Sequence, residues 1–229
     1  MNRTQLAALN NALWCAAVWR SRGLLTEVSS GAWFTRQETP SLYPNMVIVD
    51  PDGARGRQLA IASQIGGALR KASVKDSYAV LSLRNCGFQE LFSAQWLWAA
   101  PGSLSFSKST DTIEVVTDLA DVGEWIATWE EMGGAANNLF PSIALDGAVE
   151  IWGKRTETGH FCGGLIAYRS SETVGITNAF GSVGGLFYAA SREGSEAVCC
   201  YQQGAALSRA ITQGFEAIGP LKVWITEGG

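Results

Sequence analysis

The sequence predicts a protein of the α/β class, of the α+β type, in two similar halves. Three observations lead there. Segments with a helical apolar period alternate along the chain with segments that read as strands. A glycine-rich run, Gly181-Ser182-Val183-Gly184-Gly185, stands between a strand and a helix. A Gly-Phe pair precedes a tryptophan-bearing strand twice, at Gly87-Phe88 and at Gly214-Phe215.

Taken in order, residues 5–20 set Leu6, Leu9, Leu13 and Ala16/Ala17 on one helix face, with Thr4 as the expected N-cap. Gly31 to Arg36 and Met46 to Val49 read as strands, the second left through the Asp50-Pro51-Asp52-Gly53 turn. Leu59, Ala62, Ile65 and Leu69 form the stripe of a second helix, which Gly66-Gly67 weakens without ending. Tyr78 to Leu83 is expected as a buried strand and Gln95 to Ala99 as another. After a stretch rich in turn formers come a strand, Ile113 to Val116, and a helix capped by Thr117 or Asp118 that carries Val122, Trp125/Ile126, Trp129 and Met132. A hairpin follows, with strands Ala148 to Trp152 and Phe161 to Tyr168 around a turn at Lys154 to Gly159. Next come a strand Thr173 to Phe180, the glycine-rich run, a short helix Leu186 to Arg192 ended by Gly194, and an apolar strand Ala197 to Tyr201. Ala205 to Gln213 is a helix closed by Gly214, and Leu221 to Ile225 the last strand.

The length of 229 residues fits one large domain or two small ones. The most linker-like stretch, residues 101–111, divides the chain into domains 1–103 and 104–229. A net charge of −4 without basic blocks leaves no footprint for nucleic acid. The amino-terminal apolar stretch is broken by Asn10-Asn11 and followed by Arg20-Ser21-Arg22, unlike a signal peptide, and no run reaches the roughly 20 apolar residues that cross a bilayer. A cytoplasmic protein without membrane contact is expected. The five cysteines are odd in number, scattered and set in apolar segments, so they read as reduced core residues. With His160 as the only histidine, multi-histidine metal sites are excluded, and no metal is expected.

From Thr112 onward the element order, together with Cys162-Gly163-Gly164-Leu165-Ile166-Ala167, Val174 to Phe180 with its following glycines, and Ala206 to Trp224 around Gly214-Phe215, resembles a GNAT (GCN5-related N-acetyltransferase) domain. The resemblance covers about half the chain. It implies a mixed, mostly antiparallel sheet flanked by helices and an acyl-CoA-binding domain at 104–229. Aligning Gly87-Phe88-Gln89-Glu90-Leu91 with Gly214-Phe215-Glu216-Ala217-Ile218 makes 1–103 a degenerate copy, hence a tandem repeat. It further implies acetyl-CoA, or another acyl-CoA, as cosubstrate. Its pantetheine arm would lie along Ile176, Ala179 and Phe180, and its pyrophosphate on Gly181, Ser182, Val183, Gly184 and Gly185. The same run also reads as a tight turn whose glycines allow close helix–strand packing.

Acyl transfer to an amine needs a base, donors for the oxyanion and an acid for the departing thiolate. The family's acid is a tyrosine four residues before the Gly of Gly-Phe, and Ala210 stands there; the family's Arg or Gln ahead of the glycine-rich loop is also missing. Tyr201 and Tyr188 are the remaining acids, with Tyr201 preferred. Asn178 is the polar residue beside the thioester, either orienting substrate or satisfying frayed backbone. Glu172 is a candidate base or a surface turn residue, and His160 a surface residue. The expected function is an acyl-CoA-dependent N-acetyltransferase acting on a small-molecule amine held between the halves. The alternative is a non-catalytic GNAT-like ligand-binding or interaction protein. Exposed tryptophans would suit a homodimer.

Overall fold

The computed structural model describes residues 1–104, 111–134 and 147–226. In chain order the elements are α1 (Arg3–Ser21), β1 (Glu27–Ser29), β2 (Ala32–Phe34), β3 (Met46–Ile48), α2 (Arg55–Ala68), β4 (Ser73–Asp76), β5 (Phe88–Ala99), β6 (Thr112–Val115), α3 (Leu119–Glu131), β7 (Val149–Arg155), β8 (Phe161–Arg169), β9 (Val174–Gly181), α4 (Leu186–Ala190), β10 (Val198–Gln202), α5 (Gly204–Thr212) and β11 (Glu216–Thr226). This is the α+β architecture expected, a mixed and mostly antiparallel sheet with helices against it. The chain forms two compact units. One comprises Met1–Trp96, Tyr201–Gln203 and the chain from Ile218; the other comprises Leu97–Cys200 and Gly204–Ala217. Of the linker-like stretch, residues 105–110 lie outside the described residues.

In the first unit β1, β2 and β3 pair antiparallel, β3 and β4 pair in parallel with Met46 opposite Val74, and β11 lies antiparallel to β4 with Trp224 opposite Val74. Its core packs Ile61, Ala62 and Ile65 of α2 against Phe34, Met46, Ile48, Val74, Phe88 and Trp224. Helix α2 runs through Gly66-Gly67 to Ala68, and Gly66 lies against the Phe88 ring where no Cβ would fit. The N-cap of α1 is Asn2, not Thr4. Asn2 and Gln5 close a capping box, while the Thr4 hydroxyl donates to the Ile218 carbonyl at 2.8 Å.

The segment Tyr78 to Leu83 is not the strand its apolar content suggests. The strand is β4, just before it, and the reason is Asp76. Its buried carboxylate accepts backbone N–H bonds from Tyr78 (3.3 Å) and Leu81 (2.6 Å), folding the chain into a turn with Ala79 at φ 54°. Leu81 and Leu83 still reach the core, so their burial is real but their backbone is not extended. Burial holds the Asp76 carboxyl above its ordinary value, with the backbone donors opposing the shift.

In the second unit β6, β7, β8 and β9 form an antiparallel meander, and β10 joins β9 in parallel. The expected turn at Lys154 is displaced, because β7 continues to Arg155 through a register irregularity at Lys154/Arg155. Asp118 caps α3 by accepting from the Ala120 N–H at 2.7 Å. One face of the meander carries Leu165, Ala167, Val174 and Ile176 against Leu186, Phe187, Ala190, Ala210 and Phe215. Towards the other face Trp125 of α3 meets Phe180 at 4.9 Å and donates its indole N–H to the Trp152 carbonyl. Helix α4 is shorter than expected, since Arg192 and Glu193 adopt left-handed backbone at φ 52° and 58°.

Both Gly-Phe pairs turn the chain with positive φ, 80° at Gly87 and 103° at Gly214, and each sends a buried phenylalanine into the core of its own unit. They differ in surroundings: a Cβ on Gly214 would collide with the Ser103 carbonyl, whereas one on Gly87 meets open space. Gly214→Ala should therefore cost stability on the order of 1–3 kcal/mol from backbone strain and more from the collision. Gly87→Ala should carry the strain alone. Urea unfolding midpoints measure the difference, and equal midpoints for the two variants would refute it.

Candidate functional site

Strand β9 keeps one neighbour and loses the other. It pairs with β8 from Arg169 opposite Val174 to Gly163 opposite Gly181. With β10 it pairs only at Val174 opposite Val198 and Gly175 opposite Cys199. From Ile176 onward its second edge has no ladder partner among the described residues. A bulge lies in this stretch, where Thr177 faces Ile166 and Phe180 faces Gly164, so Asn178 and Ala179 together oppose Leu165. Asn178 takes the left-handed conformation at φ 51° and accepts from the Thr177 hydroxyl at 2.8 Å. Asn is among the few residues that adopt it at little cost. Ala179 is exposed there while Phe180 is buried.

The loop that follows is built on close backbone contact. The Ser182 N–H donates to the Cys162 carbonyl at 2.9 Å, and neither Gly163 nor Gly181 leaves room for a Cβ, the first because of Ser182 backbone and the second because of the Cys162 carbonyl. The Val183 carbonyl accepts from Leu186 N–H at 3.1 Å. Among the described residues the N–H groups of Val183, Gly184 and Gly185 have no acceptor. Adjacent unmatched backbone donors of this kind are the groups from which an anion-binding nest can be made. Helix α4 spans just five residues, so its dipole adds little.

Two cations brace this region. Lys154 of β7, 4 % exposed, pairs with Asp111 at 2.9 Å and donates to the Ser182 hydroxyl at 3.1 Å and the Gly184 carbonyl at 3.3 Å. Arg169, at the end of β8, binds Glu150 through Nε and Nη2, both at 2.8 Å, pairs with Glu196, and donates to the Ala190 carbonyl at 2.7 Å. The last of these contacts ties the C-terminal end of α4 to the sheet.

Solved structures share this arrangement of strands and helices. A GCN5-related N-acetyltransferase from Kribbella flavida superposes with a TM-score of 0.71 at 13% identity, over 97% of this chain and 96% of that one. The GCN5-related N-acetyltransferase from Sphaerobacter thermophilus gives 0.55 at 11% identity, over 88% and 82%. The chain has the GNAT fold. A third neighbour is Saccharomyces cerevisiae N-myristoyltransferase with bound myristoyl-CoA, at a TM-score of 0.55 and 6% identity, covering 76% of this chain and 56% of that one. No protein-family model matches the sequence, and no curated protein matches it either.

Within the GNAT fold the residues expected to hold the cofactor, Ile176, Ala179, Phe180, Gly181, Ser182, Val183, Gly184 and Gly185, form one continuous strand end and loop in the second unit, with Asn178 at its bulge. Tyr201 belongs to the first unit. Its ring meets Trp96 edge-on at 5.5 Å and stacks with Phe92 at 6.4 Å, and the Lys75 ammonium stands 4.3 Å above its face. Tyr188 is half-buried in α4, Glu172 is exposed, and His160 is 82 % exposed beside Glu124 at 3.7 Å. Ala210 is buried in the core of the second unit. Burial pushes the Cys15 thiol to about 11 and the Cys199 thiol to about 12, and raises Cys200 as well, which favours the protonated thiol over the nucleophilic thiolate. Among the described residues no group of three or more His, Cys, Asp or Glu is placed to hold a metal ion, and no helix is long and apolar enough to cross a membrane.

The sequence reading missed Lys154, Asp111, Arg169 and Glu150. The one available signal was the placement of Glu150, Lys154 and Arg169 in or beside two strands that are otherwise mostly apolar. The Arg169 hydrogen bonds hold the Glu150 carboxyl below its ordinary value of about 4.5. A depressed carboxyl stabilises the fold above its unfolded value and loses that contribution as pH falls through the folded one. Glu150→Gln should therefore flatten the fall of melting temperature below about pH 4.5, leaving the curve above it parallel to wild type. Identical slopes for both proteins below that pH would disprove the clamp.

Proposed function

We propose that the chain is an acyltransferase that binds an acyl-CoA, acetyl-CoA or a longer homologue, in its second unit and delivers the acyl group to a small amine. The observation that carries this reading is the loss of the β10 partner by β9 beyond Gly175, directly ahead of a loop with three unmatched N–H donors. An unpaired strand edge offers alternating N–H and C=O groups that suit the two amides of a pantetheine arm. Val183, Gly184 and Gly185 offer the donors that suit its pyrophosphate. The yeast neighbour solved with myristoyl-CoA supports the same use of this fold.

A bound acyl-CoA supplies an activated thioester carbonyl and a thiol leaving group. The protein's part is positional. The Ile176–Ala179 backbone aligns the arm, Asn178 orients the acceptor from the bulge, and Tyr201, two residues past the last β9–β10 pair, holds the proton that the departing sulfur takes. The two Gly-Phe turns support an internal duplication behind the two units, with the cofactor site in the second.

A second reading is favoured by one observation. Ala210 fills the family's usual tyrosine position and is packed in the core, with no hydroxyl to offer. The chain would then bind acyl-CoA without turning it over. Calorimetry with acetyl-CoA and myristoyl-CoA, followed by a thiol-release assay across small amines, separates the two. Binding with turnover supports the enzyme, binding without turnover the second reading, and no binding of either cofactor rejects both.

A Cβ at Gly184 would meet nothing within 4 Å, so Gly184→Leu should fold normally yet lose acyl-CoA binding. Retained affinity in that variant would remove the loop from the site. Tyr201→Phe keeps the ring packing and should lower turnover on the order of a hundredfold with cofactor affinity unchanged. An unaltered rate would take Tyr201 out of the mechanism.

A further inference from the structure

Lys154 is a buried cation whose contacts all have a purpose for the loop. An ammonium carries three N–H donors, and here Asp111, the Ser182 hydroxyl and the Gly184 carbonyl take them. Asp111 matches its charge, so the pair contributes little net field, and what remains is geometry. The peptide between Gly184 and Gly185 is planar and trans, so its C=O and N–H point in opposite directions. With the Gly184 carbonyl drawn towards Lys154, the Gly185 N–H is turned away from it. Gly185 sits at φ 84°, flanked by another glycine, a backbone with little intrinsic preference of its own. Without an anchor this peptide plane has small resistance to flipping, which would replace a donor by a carbonyl oxygen in the loop.

We infer that Lys154 is a positioning residue that locks the Gly184–Gly185 peptide so that the Gly185 N–H is presented to a phosphate group of the cofactor. This rests on the acyl-CoA reading above and deepens it: the phosphate selectivity of the loop is set from β7, by a residue that does not touch the ligand. It also makes Asp111, just before β6, part of the same device, since the carboxylate keeps the ammonium from turning to the phosphate itself.

The test uses the full chain as wild type, Lys154→Met and Lys154→Arg. Calorimetry with CoA and with pantetheine, which has no pyrophosphate, should show Lys154→Met losing about tenfold in CoA affinity, the worth of one well-aligned hydrogen bond to a charged group. Its pantetheine affinity should be unchanged, and Lys154→Arg should recover most of the loss. Equal losses for both ligands, or none for CoA, overturn the proposal, because a residue that merely supports the fold would not discriminate between them. The ligand-free protein gives a second readout. The Gly185 amide resonance should shift or broaden in Lys154→Met and not in Lys154→Arg. An unchanged resonance overturns the lock whether or not CoA binds, whereas a shifted resonance in a protein that binds no CoA rejects the acyl-CoA reading and leaves the lock standing.

Discussion

The constraint on which the second unit's loop depends is that β9 stays bonded to β8 after it has left β10. A strand end with neither neighbour would fray, and one with both would have no free edge. The intermediate state needs a tight β8–β9 contact at its far end, and the sequence supplies it with residues that have no side chain. Gly163 and Gly181 face each other across the ladder, and Ser182 backbone fills the space that a Cβ would take. The cost of bringing bare backbone together there is offset by the Ser182 to Cys162 hydrogen bond and by Phe180 packing on Trp125. Asn178 belongs to the same arrangement. Its left-handed backbone inserts the extra residue that bends β9, so whatever else its side chain does, the bend already requires a residue that accepts that conformation.

Much of the architecture was legible because it rests on patterns that burial enforces locally. The α3 stripe, the apolar hairpin strands, the Asp118 cap and the Gly214 turn all announce themselves within a few residues. Reading failed where one polar side chain, near or distant, takes over the backbone groups of a segment. Tyr78 to Leu83 is as apolar as a strand, yet the buried Asp76 carboxylate collects its N–H groups and curls it, and no period in the sequence reveals that. The Thr4 hydroxyl, suited to a cap, is taken by Ile218, more than two hundred residues away. The candidate site divides the same way. Its backbone half, the strand end and glycine loop, was readable from residue types. Its electrostatic half was not, since Lys154 and Arg169 look like ordinary surface charges in a hairpin until the fold buries them against Asp111, Ser182, Glu150 and Glu196.

Charge is used sparingly and inwardly. Lys154, Arg169 and Lys75 are each satisfied by specific acceptors or an aromatic face instead of by solvent. A buried cation with fitted partners stabilises modestly but is costly to leave unmatched, so it selects one arrangement over its alternatives. Lys75 shows this without any carboxylate in its hydrogen bonding: the Asn11 side-chain oxygen at 2.9 Å and the Tyr201 ring suffice. Tyr201 is accordingly held from three sides, by Lys75, Trp96 and Phe92, which gives a small range of motion to whatever its hydroxyl does.

The chain passes between the two units four times, after Trp96, Cys200, Gln203 and Ala217. The last passage delivers β11, whose Trp224 completes the core of the first unit and whose register with β4 joins Lys222 to Asp76 and Ile225 to Ser73. On a ribosome the first unit therefore waits with an open sheet edge while the second is made, and β11 emerges only after it. Such long-range closure slows folding and leaves an exposed edge in the nascent chain. Lys75 and Asp76, both on β4 and buried in the finished molecule, stand beside that waiting edge while it is still open to solvent, and charged side chains there oppose pairing with other chains.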